Sequence, residues 1–145
     1  MAALDLEAEY NNRARVPEHP AIIAGWKESA AAFRASHSNA ELQIAYGQTA
    51  RQVLDIFWPD RSRSAPLALF IHGGYWQALD LSLFSHLAKA ANANGIALAL
   101  CGYDLCPQVR LGQIIEQVRA SALFLWKRYD RRVVASGHSA GGHLT

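Results

Sequence analysis

The sequence is poor in cysteine and has no marked excess of charge of either sign. Its 145 residues include two cysteines, which are too few for the disulfide framework of a small secreted domain. We expect Cys101 and Cys106 to be free thiols, because their spacing matches no zinc motif either. The 14 Lys and Arg residues nearly balance the 12 Asp and Glu residues, without a long run of one sign. This balance gives no reason to expect a nucleic acid or a membrane surface as a partner.

Long apolar runs are also missing. The longest nearly apolar stretches fall far below the ~18–20 residues that a membrane-spanning helix requires. The first ten residues are acidic and have no apolar centre, so they do not resemble a secretory signal. With 51% hydrophobic and 18% charged residues, the composition is that of an ordinary globular domain. We therefore expect a soluble cytoplasmic protein.

The first 40 residues predict an N-terminal arm and a helix. Residues 1–20 are polar and contain two prolines, so we expect at most a short helix followed by a surface segment. Apolar residues then recur at helical spacing over 21–35, which predicts a helix with one face packed on the core. That face comprises Ile22, Trp26, Ala30 and Phe33.

The remainder of the chain predicts an α/β domain. Residues 41–58 alternate with a period of two around Gly47–Ala50, which predicts an antiparallel hairpin, and a polar loop follows at 59–66. Buried strands and amphipathic helices then alternate, which predicts parallel strands joined by right-handed crossovers. These elements are a strand at 67–71, a helix at 80–93, a strand at 96–100, a helix at 111–129 and a strand at 132–136. We predict one domain over residues 1–145.

Both crossover helices have a predicted apolar face. Asp80 is a suitable N-cap for the first, and Asn94-Gly95 a suitable stop. The predicted core face of the first helix comprises Phe84, Leu87, Ala88 and Ala91. That of the second comprises Leu111, Ile114, Ile115, Val118, Ala122, Leu125, Trp126 and Tyr129.

The segment Gly137-His138-Ser139-Ala140-Gly141 fits the pattern Gly-x-Ser-x-Gly. In a nucleophile elbow of this pattern, a serine lies on a tight turn between a strand and a helix, with its hydroxyl exposed. The setting agrees, because an apolar strand precedes the motif. Ser139 is therefore the predicted nucleophile, and the alternative is a chance serine in a glycine-rich turn.

A second glycine motif, His72-Gly73-Gly74-Tyr75-Trp76, follows the first buried strand. In open α/β sheets, ligands bind at the carboxyl ends of the strands. Adjacent glycines leave the backbone N–H groups accessible to a developing oxyanion. We expect the N–H groups of Gly73, Gly74 and Ala140 to form an oxyanion hole, against the alternative of a turn stabilised by aromatic packing.

Together, the two motifs resemble the α/β-hydrolase family on its hormone-sensitive-lipase side, and more narrowly kynurenine formamidases, also called arylformamidases. The resemblance rests on His-Gly-Gly-x-Trp, where related esterases usually have a third glycine. Further similar segments are Glu9–Arg13, Tyr46-Gly47, Asp55–Phe57 and Tyr103–Pro107. The resemblance implies hydrolysis of N-formyl-L-kynurenine to L-kynurenine and formate through an acyl-serine, without a metal or organic cofactor. It also makes His72, Tyr75, Trp76 and His138 candidates for lining the substrate site.

The triad of this family runs Ser, then Asp or Glu, then His along the chain. No acidic residue follows Ser139 in this sequence. We expect Asp104 to hold a turn, His72 to brace the oxyanion loop, and His138 and His143 to pack locally. A zinc site at His138 and His143 would need more ligands than their spacing offers.

These observations predict the N-terminal part of a hydrolase domain, C-terminally incomplete and weakly active by itself. The 132–136 strand would then lie at an apolar sheet edge that favours association, and a homodimer is left open. Two alternatives to the formamidase also remain. One is a general short-chain carboxylesterase, and the other is a non-catalytic pseudo-hydrolase that serves as a binding module.

Overall fold

The computed structural model describes residues 4–145, which form a five-stranded mixed sheet. Its strands are β1 (Ala40–Ala45), β2 (Val53–Phe57), β3 (Leu67–Ile71), β4 (Ala97–Cys101) and β5 (Val133–Gly137). Their spatial order is β1-β2-β4-β3-β5. β2 pairs antiparallel with β1 and β4, whereas β3 pairs parallel with β4 and β5. The predicted α/β architecture, an antiparallel hairpin followed by parallel strands, is confirmed.

Six α-helices and one 3₁₀ helix accompany the described sheet. They are α1 (Leu6–Tyr10), α2 (Asn12–Arg15), α3 (His19–Ser36), a 3₁₀ helix (Leu81–Phe84), α4 (Leu87–Ala93), α5 (Leu111–Tyr129) and α6 (Ala140–Leu144). The N-terminal segment thus contains two short helices rather than one. Within residues 4–145, none of the helices is long and apolar enough to cross a lipid bilayer.

The sheet is covered on both faces, which explains why its inner strands are continuously apolar. Along β4, Ala97, Ala99 and Cys101 face one cluster of core residues, and Leu98 and Leu100 face the other. The first cluster includes Ile114, Val118 and Leu125 of α5. The second includes Phe84 and Ala88, with Trp26 and Phe33 of α3 packed against it. The domain therefore has three layers. Because β3 and β5 are parallel neighbours, their carboxyl ends lie at the same edge of the sheet.

Four helix residues that were predicted to face the core are exposed instead. Leu87 is exposed, because a 3₁₀ helix ends at Phe84 and α4 starts only at Leu87, so one periodicity does not span both. On α5, Ile115 and Trp126 are also exposed, since they flank the narrower strip that contacts the sheet. Ile22 is exposed on α3 for the same reason.

Two strand boundaries also shift by one residue. Ile96 precedes β4 and instead donates its backbone N–H to the Ala91 carbonyl, 3.0 Å away, at the end of α4. β5 begins at Val133 and includes Gly137. Asp80 caps the 3₁₀ helix, accepting a hydrogen bond from the Ser82 N–H at 2.9 Å, as its sequence position predicts. Both cysteines are free thiols, as predicted.

A buried ion pair attaches α3 to the sheet. The Asp55 side chain on β2 is fully buried and pairs with the Arg34 guanidinium of α3. Asp55 also accepts a hydrogen bond from the backbone N–H of Gln43, at 2.7 Å. Since a buried carboxylate is costly without such partners, this pair fixes the position of α3 over the sheet.

Candidate active site

Ser139 lies on the turn between β5 and α6. Its backbone has φ 55° and ψ −120°, a combination that non-glycine residues adopt only under strain. Such strain is characteristic of functional turns, where the surrounding structure enforces it. The side chain is exposed rather than packed in the core. The turn therefore presents the hydroxyl to solvent at the carboxyl edge of the sheet.

Two glycines permit this turn to approach its neighbours. A Cβ atom at Gly141 would lie 2.0 Å from the Ile71 carbonyl oxygen of β3. A Cβ atom at Gly137 would lie 2.2 Å from the carbonyl oxygen of Gly141. Both contacts are with backbone, which cannot move aside as a flexible side chain can. Gly142 differs, because its nearest neighbour would be 3.5 Å away.

The loop at 72–76 contacts the same turn. A Cβ atom at Gly73 would lie 2.7 Å from the His138 carbonyl oxygen and 3.0 Å from Cβ of Ser139. Gly74 has φ +114°, where a Cβ atom would lie 2.3 Å from the Ala78 carbonyl oxygen. The structure thus brings Gly73 directly against Ser139.

Three backbone N–H groups around Ser139 are available to a ligand. Within residues 4–145, the N–H groups of Gly73, Gly74 and Ala140 donate to no protein acceptor. Gly73 and Ala140 are nevertheless buried. Buried N–H groups are rarely left unpaired. These groups can donate hydrogen bonds to the carbonyl oxygen of a ligand as that oxygen acquires negative charge.

His72 is buried beneath the loop. Its ring stacks on Tyr103 with the ring centroids 4.3 Å apart, and its Nδ1 donates to the Gly73 carbonyl at 2.7 Å. The Tyr103 hydroxyl donates to the His72 carbonyl at 2.6 Å. Burial lowers the pKa of His72 to about 4, from 6.5. The imidazole is therefore neutral at pH 7, and its contacts hold the loop in place.

The two aromatic residues of the loop face different partners. The Tyr75 hydroxyl donates to the Tyr10 carbonyl at 2.6 Å, which ties the loop to the N-terminal helices. Trp76 packs edge-on against His143 of α6, with ring centroids 5.3 Å apart. Both have positive φ, 52° and 57° respectively. The loop is thus fixed between the N-terminal helices and α6.

Ser139 opens into a cavity of about 300 Å³. Its walls are Asn12, Arg13, Val16, His19, Ile22, Ile23, Trp26, Gly74, Tyr75, Leu79, His138 and Ser139. A cavity of about 470 Å³ adjoins it and shares four wall residues, Asn12, Arg13, Gly74 and Tyr75. Of the predicted site residues, Gly74, Tyr75, His138 and Ser139 line this cavity. His72 and Trp76 instead pack against Tyr103 and His143.

Sequence reasoning missed the contribution of the N-terminal helices. Ile22 and Trp26 lie on a predicted core face; Trp26 does pack against the core, and both residues also line the cavity that contains Ser139. The segment Glu9–Arg13, noted only as a point of family resemblance, supplies Tyr10, Asn12 and Arg13 to the cavity walls. Short polar helices have no apolar periodicity, so only the family resemblance could have indicated that this segment lies at the site.

The Ser139 hydroxyl is not paired with a base within residues 4–145. Among the described residues, no histidine or carboxylate forms a hydrogen bond with the Ser139 hydroxyl. Asp104 accepts hydrogen bonds from Thr49 at 2.8 Å and Gln117 at 2.9 Å, so it holds local structure. No group of three or more potential metal ligands lies within residues 4–145.

Comparisons with known proteins place this site in context. The BD-FAE family profile matches residues 54–145. Kynurenine formamidase from Drosophila melanogaster is 36% identical over 106 residues, covering 70% of this chain and 35% of that protein. The chain therefore spans about a third of the length of the curated relatives it matches.

Solved structures agree with this placement. A candidate thioesterase from Silicibacter sp. superposes with a TM-score of 0.88 at 39% identity, covering 98% of this chain and 54% of that one. Esterase B from Lactobacillus rhamnosis, inhibited by a tributyrin phosphonate, has a TM-score of 0.67 at 29% identity. That match covers 90% of this chain and 46% of the esterase. These structures have the architecture described above.

Proposed function

Because this chain belongs to the BD-FAE family and is a kynurenine formamidase-like α/β-hydrolase, we propose that it provides the nucleophile for arylformamide hydrolysis. The substrate in this proposal is N-formyl-L-kynurenine, and the products are L-kynurenine and formate. One observation carries the proposal: Gly73 lies against Ser139, with three unpaired backbone N–H groups around the serine.

The geometry supports a two-step reaction. The Ser139 oxygen attacks the formyl carbon, and the carbonyl oxygen becomes an oxyanion that accepts hydrogen bonds from Gly73, Gly74 and Ala140. As the C–N bond breaks, the general base that took the Ser139 proton passes it to the aromatic amine, which leaves, and the formyl group remains on Ser139. Water next attacks the formyl ester, which releases formate and restores the serine. In measured cases, removal of one oxyanion donor costs about 3–4 kcal/mol of transition-state stabilisation.

We place the general base outside the described residues. A serine hydroxyl is a weak nucleophile at neutral pH until a base removes its proton. The part of the chain that is described contains no partner for the Ser139 hydroxyl, and residues 1–145 cover about a third of the curated relatives. The 145-residue chain should therefore bind substrate and turn it over slowly unless a base is supplied.

A short-chain carboxylesterase is the second candidate, favoured by the structural similarity to esterase B at 29% identity. Esters and formamides use the same nucleophile and oxyanion hole, so only the leaving group distinguishes them. The pair Tyr75-Trp76 stands where esterases of this type usually have a third glycine, and Trp76 in place of a small residue favours the formamidase.

Parallel assays distinguish the two candidates. The purified chain would be given N-formyl-L-kynurenine or p-nitrophenyl acetate in a buffer that contains imidazole as a diffusible base. The rate of Ser139→Ala is subtracted as background, and Ser136→Ala is the matched control because its hydroxyl only contacts the Leu69 carbonyl. We expect the higher Ser139-dependent kcat/KM with the formamide. A Ser139-dependent rate with the ester alone would favour the esterase, and none with either would refute both.

A further inference from the structure

The two adjoining cavities near Ser139 contain few charged groups. Arg13 lines both, and Glu7 lines the larger one. Much of the surface around Arg13 is apolar and comes from α2, α3 and the loop before the 3₁₀ helix. Those apolar residues are Val16, Ile22, Ile23, Trp26 and Leu79. Arg13 is an exposed residue, but a cation at a protein surface still attracts an anionic group more strongly than it would in bulk water.

Arg13 is unpaired within the described chain. Its guanidinium forms no hydrogen bond or ion pair with residues 4–145. Arg15, two residues away in the same short helix, is different: it forms an ion pair with Glu9 at 3.5 Å and donates to the Ala8 carbonyl at 3.1 Å. Glu7 is also engaged, since it accepts a hydrogen bond from the Asn11 side chain. The positive charge of Arg13 is thus available to a molecule in the cavity.

We propose that Arg13 binds a carboxylate on the substrate. A planar guanidinium matches a carboxylate in two parallel hydrogen bonds, which gives orientation as well as affinity. The substrate class is then an aryl formamide that carries an amino-acid carboxylate, with the formamide at Ser139 and the carboxylate at Arg13. This inference rests on the proposed function for the identity of the reacting group, but carboxylate binding by Arg13 does not depend on catalysis.

The N-terminal helices supply Arg13 and are held to the oxyanion loop. The Tyr75 hydroxyl donates to the Tyr10 carbonyl, three residues before Arg13. Tyr75 and Gly74 line the same cavities as Arg13. This contact holds the helix pair that carries Arg13 against the loop at 72–76.

Equilibrium binding tests the inference without requiring turnover. Quenching of tryptophan fluorescence reports binding, because Trp26 lines the cavity. The probes are L-kynurenine, which has the carboxylate, and kynuramine, which lacks it but retains the aromatic ketone and the amine. The variants are Arg13→Ala, Arg13→Lys and, as the matched control, Arg15→Ala. Arg15→Ala removes the same charge from a neighbouring arginine that is already paired.

We expect Arg13→Ala to raise the Kd of L-kynurenine about 10- to 100-fold, as loss of a charge-assisted hydrogen bond implies. Arg13→Lys should raise this Kd less than Arg13→Ala does, because lysine keeps the positive charge but cannot form two parallel hydrogen bonds. Arg15→Ala should leave the Kd unchanged, and kynuramine binding should be unaffected by Arg13→Ala. Equal losses for both probes, equal effects of both alanine variants, or no saturable binding of L-kynurenine would each overturn the inference.

Catalytic data separate this inference from the proposed function. If Ser139-dependent hydrolysis is absent but binding depends on Arg13 and on the carboxylate, the proposed function fails and the carboxylate site stands. If N-formyl-L-kynurenine is hydrolysed in a Ser139-dependent reaction whose KM is unchanged by Arg13→Ala, only the carboxylate site is refuted.

Discussion

Burial determines the charge of His72, and its neutral ring holds the loop at 72–76. The side chain is stacked on Tyr103, and its Nδ1 donates to the Gly73 carbonyl. Protonation would place a positive charge in an apolar site, which is why burial lowers its pKa to about 4. The pKa of a histidine in the unfolded chain is near 6.5. The two values differ, so stability must depend on pH.

We predict that the free energy of unfolding falls as pH decreases from 6.5 to 4. In this window the unfolded chain binds a proton at His72 and the folded chain does not, so acid favours unfolding. The loss at pH 4 should be on the order of 3 kcal/mol. Chemical denaturation at a series of pH values measures it.

The control for this prediction is His72→Phe, which keeps the aromatic stack but cannot be protonated. Its unfolding free energy should change less between pH 6.5 and 4.5. Below 4.5 two partly buried carboxylates, Glu41 and Asp80, add their own dependence, because their pKa values are lowered. An identical pH profile for the wild type and His72→Phe would contradict the role assigned to burial.

At the scale of elements, the junction between β5 and α6 depends on close backbone contact. Gly141→Ala should destabilise the chain by about 1–3 kcal/mol, as overpacking commonly does. The added Cβ atom would lie 2.0 Å from the Ile71 carbonyl oxygen. Thermal or chemical unfolding provides the measurement.

Gly142→Ala is the matched control in the same helix. Its Cβ atom would lie 3.5 Å or more from its neighbours, and alanine favours a helix over glycine by up to about 1 kcal/mol. We expect this variant to be as stable as the wild type or more stable. Equal unfolding free energies for the two variants would show that the turn does not require glycine at position 141 because of close contact.

Element positions and the elbow could be predicted from the sequence because they depend on local pattern. Continuous apolar runs predicted β3, β4 and β5 to within one residue, and Gly-x-Ser-x-Gly predicted the turn at Ser139. The alternation around Asp55 predicted a hairpin, but it gave no sign that a carboxylate would be buried against Arg34. That pairing depends on how α3 crosses the sheet, which is tertiary information.

The cavity walls were less predictable for the same reason. Trp26 and Ile22 share a helical face that fits a core, and only the position of α3 above the carboxyl edge makes them line a cavity. Arg13 lies in a four-residue helix without periodicity. It lines the same cavity as Ser139, and the contact that ties its segment to the loop joins Tyr10 and Tyr75, which are 65 residues apart.

At the scale of the whole molecule, the two sheet edges differ. In the described chain, β5 pairs only with β3, and Val134 is 70% exposed. The opposite edge strand, β1, is interrupted by an irregularity between Glu41 and Ile44, with Gln43 at φ 55°. Irregular edges resist pairing with another chain, whereas regular apolar edges invite it.

We therefore predict concentration-dependent self-association through β5. Val134→Lys should shift the 145-residue chain towards the monomer, because a charge on this strand opposes burial. Leu42→Lys on β1 is the control and should leave association unchanged. Light scattering over a range of concentrations measures both variants. A wild-type chain that is monomeric throughout the range would contradict this assignment.

The proposed function requires Ser139 to be a nucleophile that needs a base from outside the described residues. The most direct test is the rate of L-kynurenine release from N-formyl-L-kynurenine as free-base imidazole is increased. We predict that imidazole raises the wild-type rate at least about tenfold, as an added general base should, and that Ser139→Ala abolishes the increase. Equal rates for the wild type and Ser139→Ala at every imidazole concentration would contradict the account.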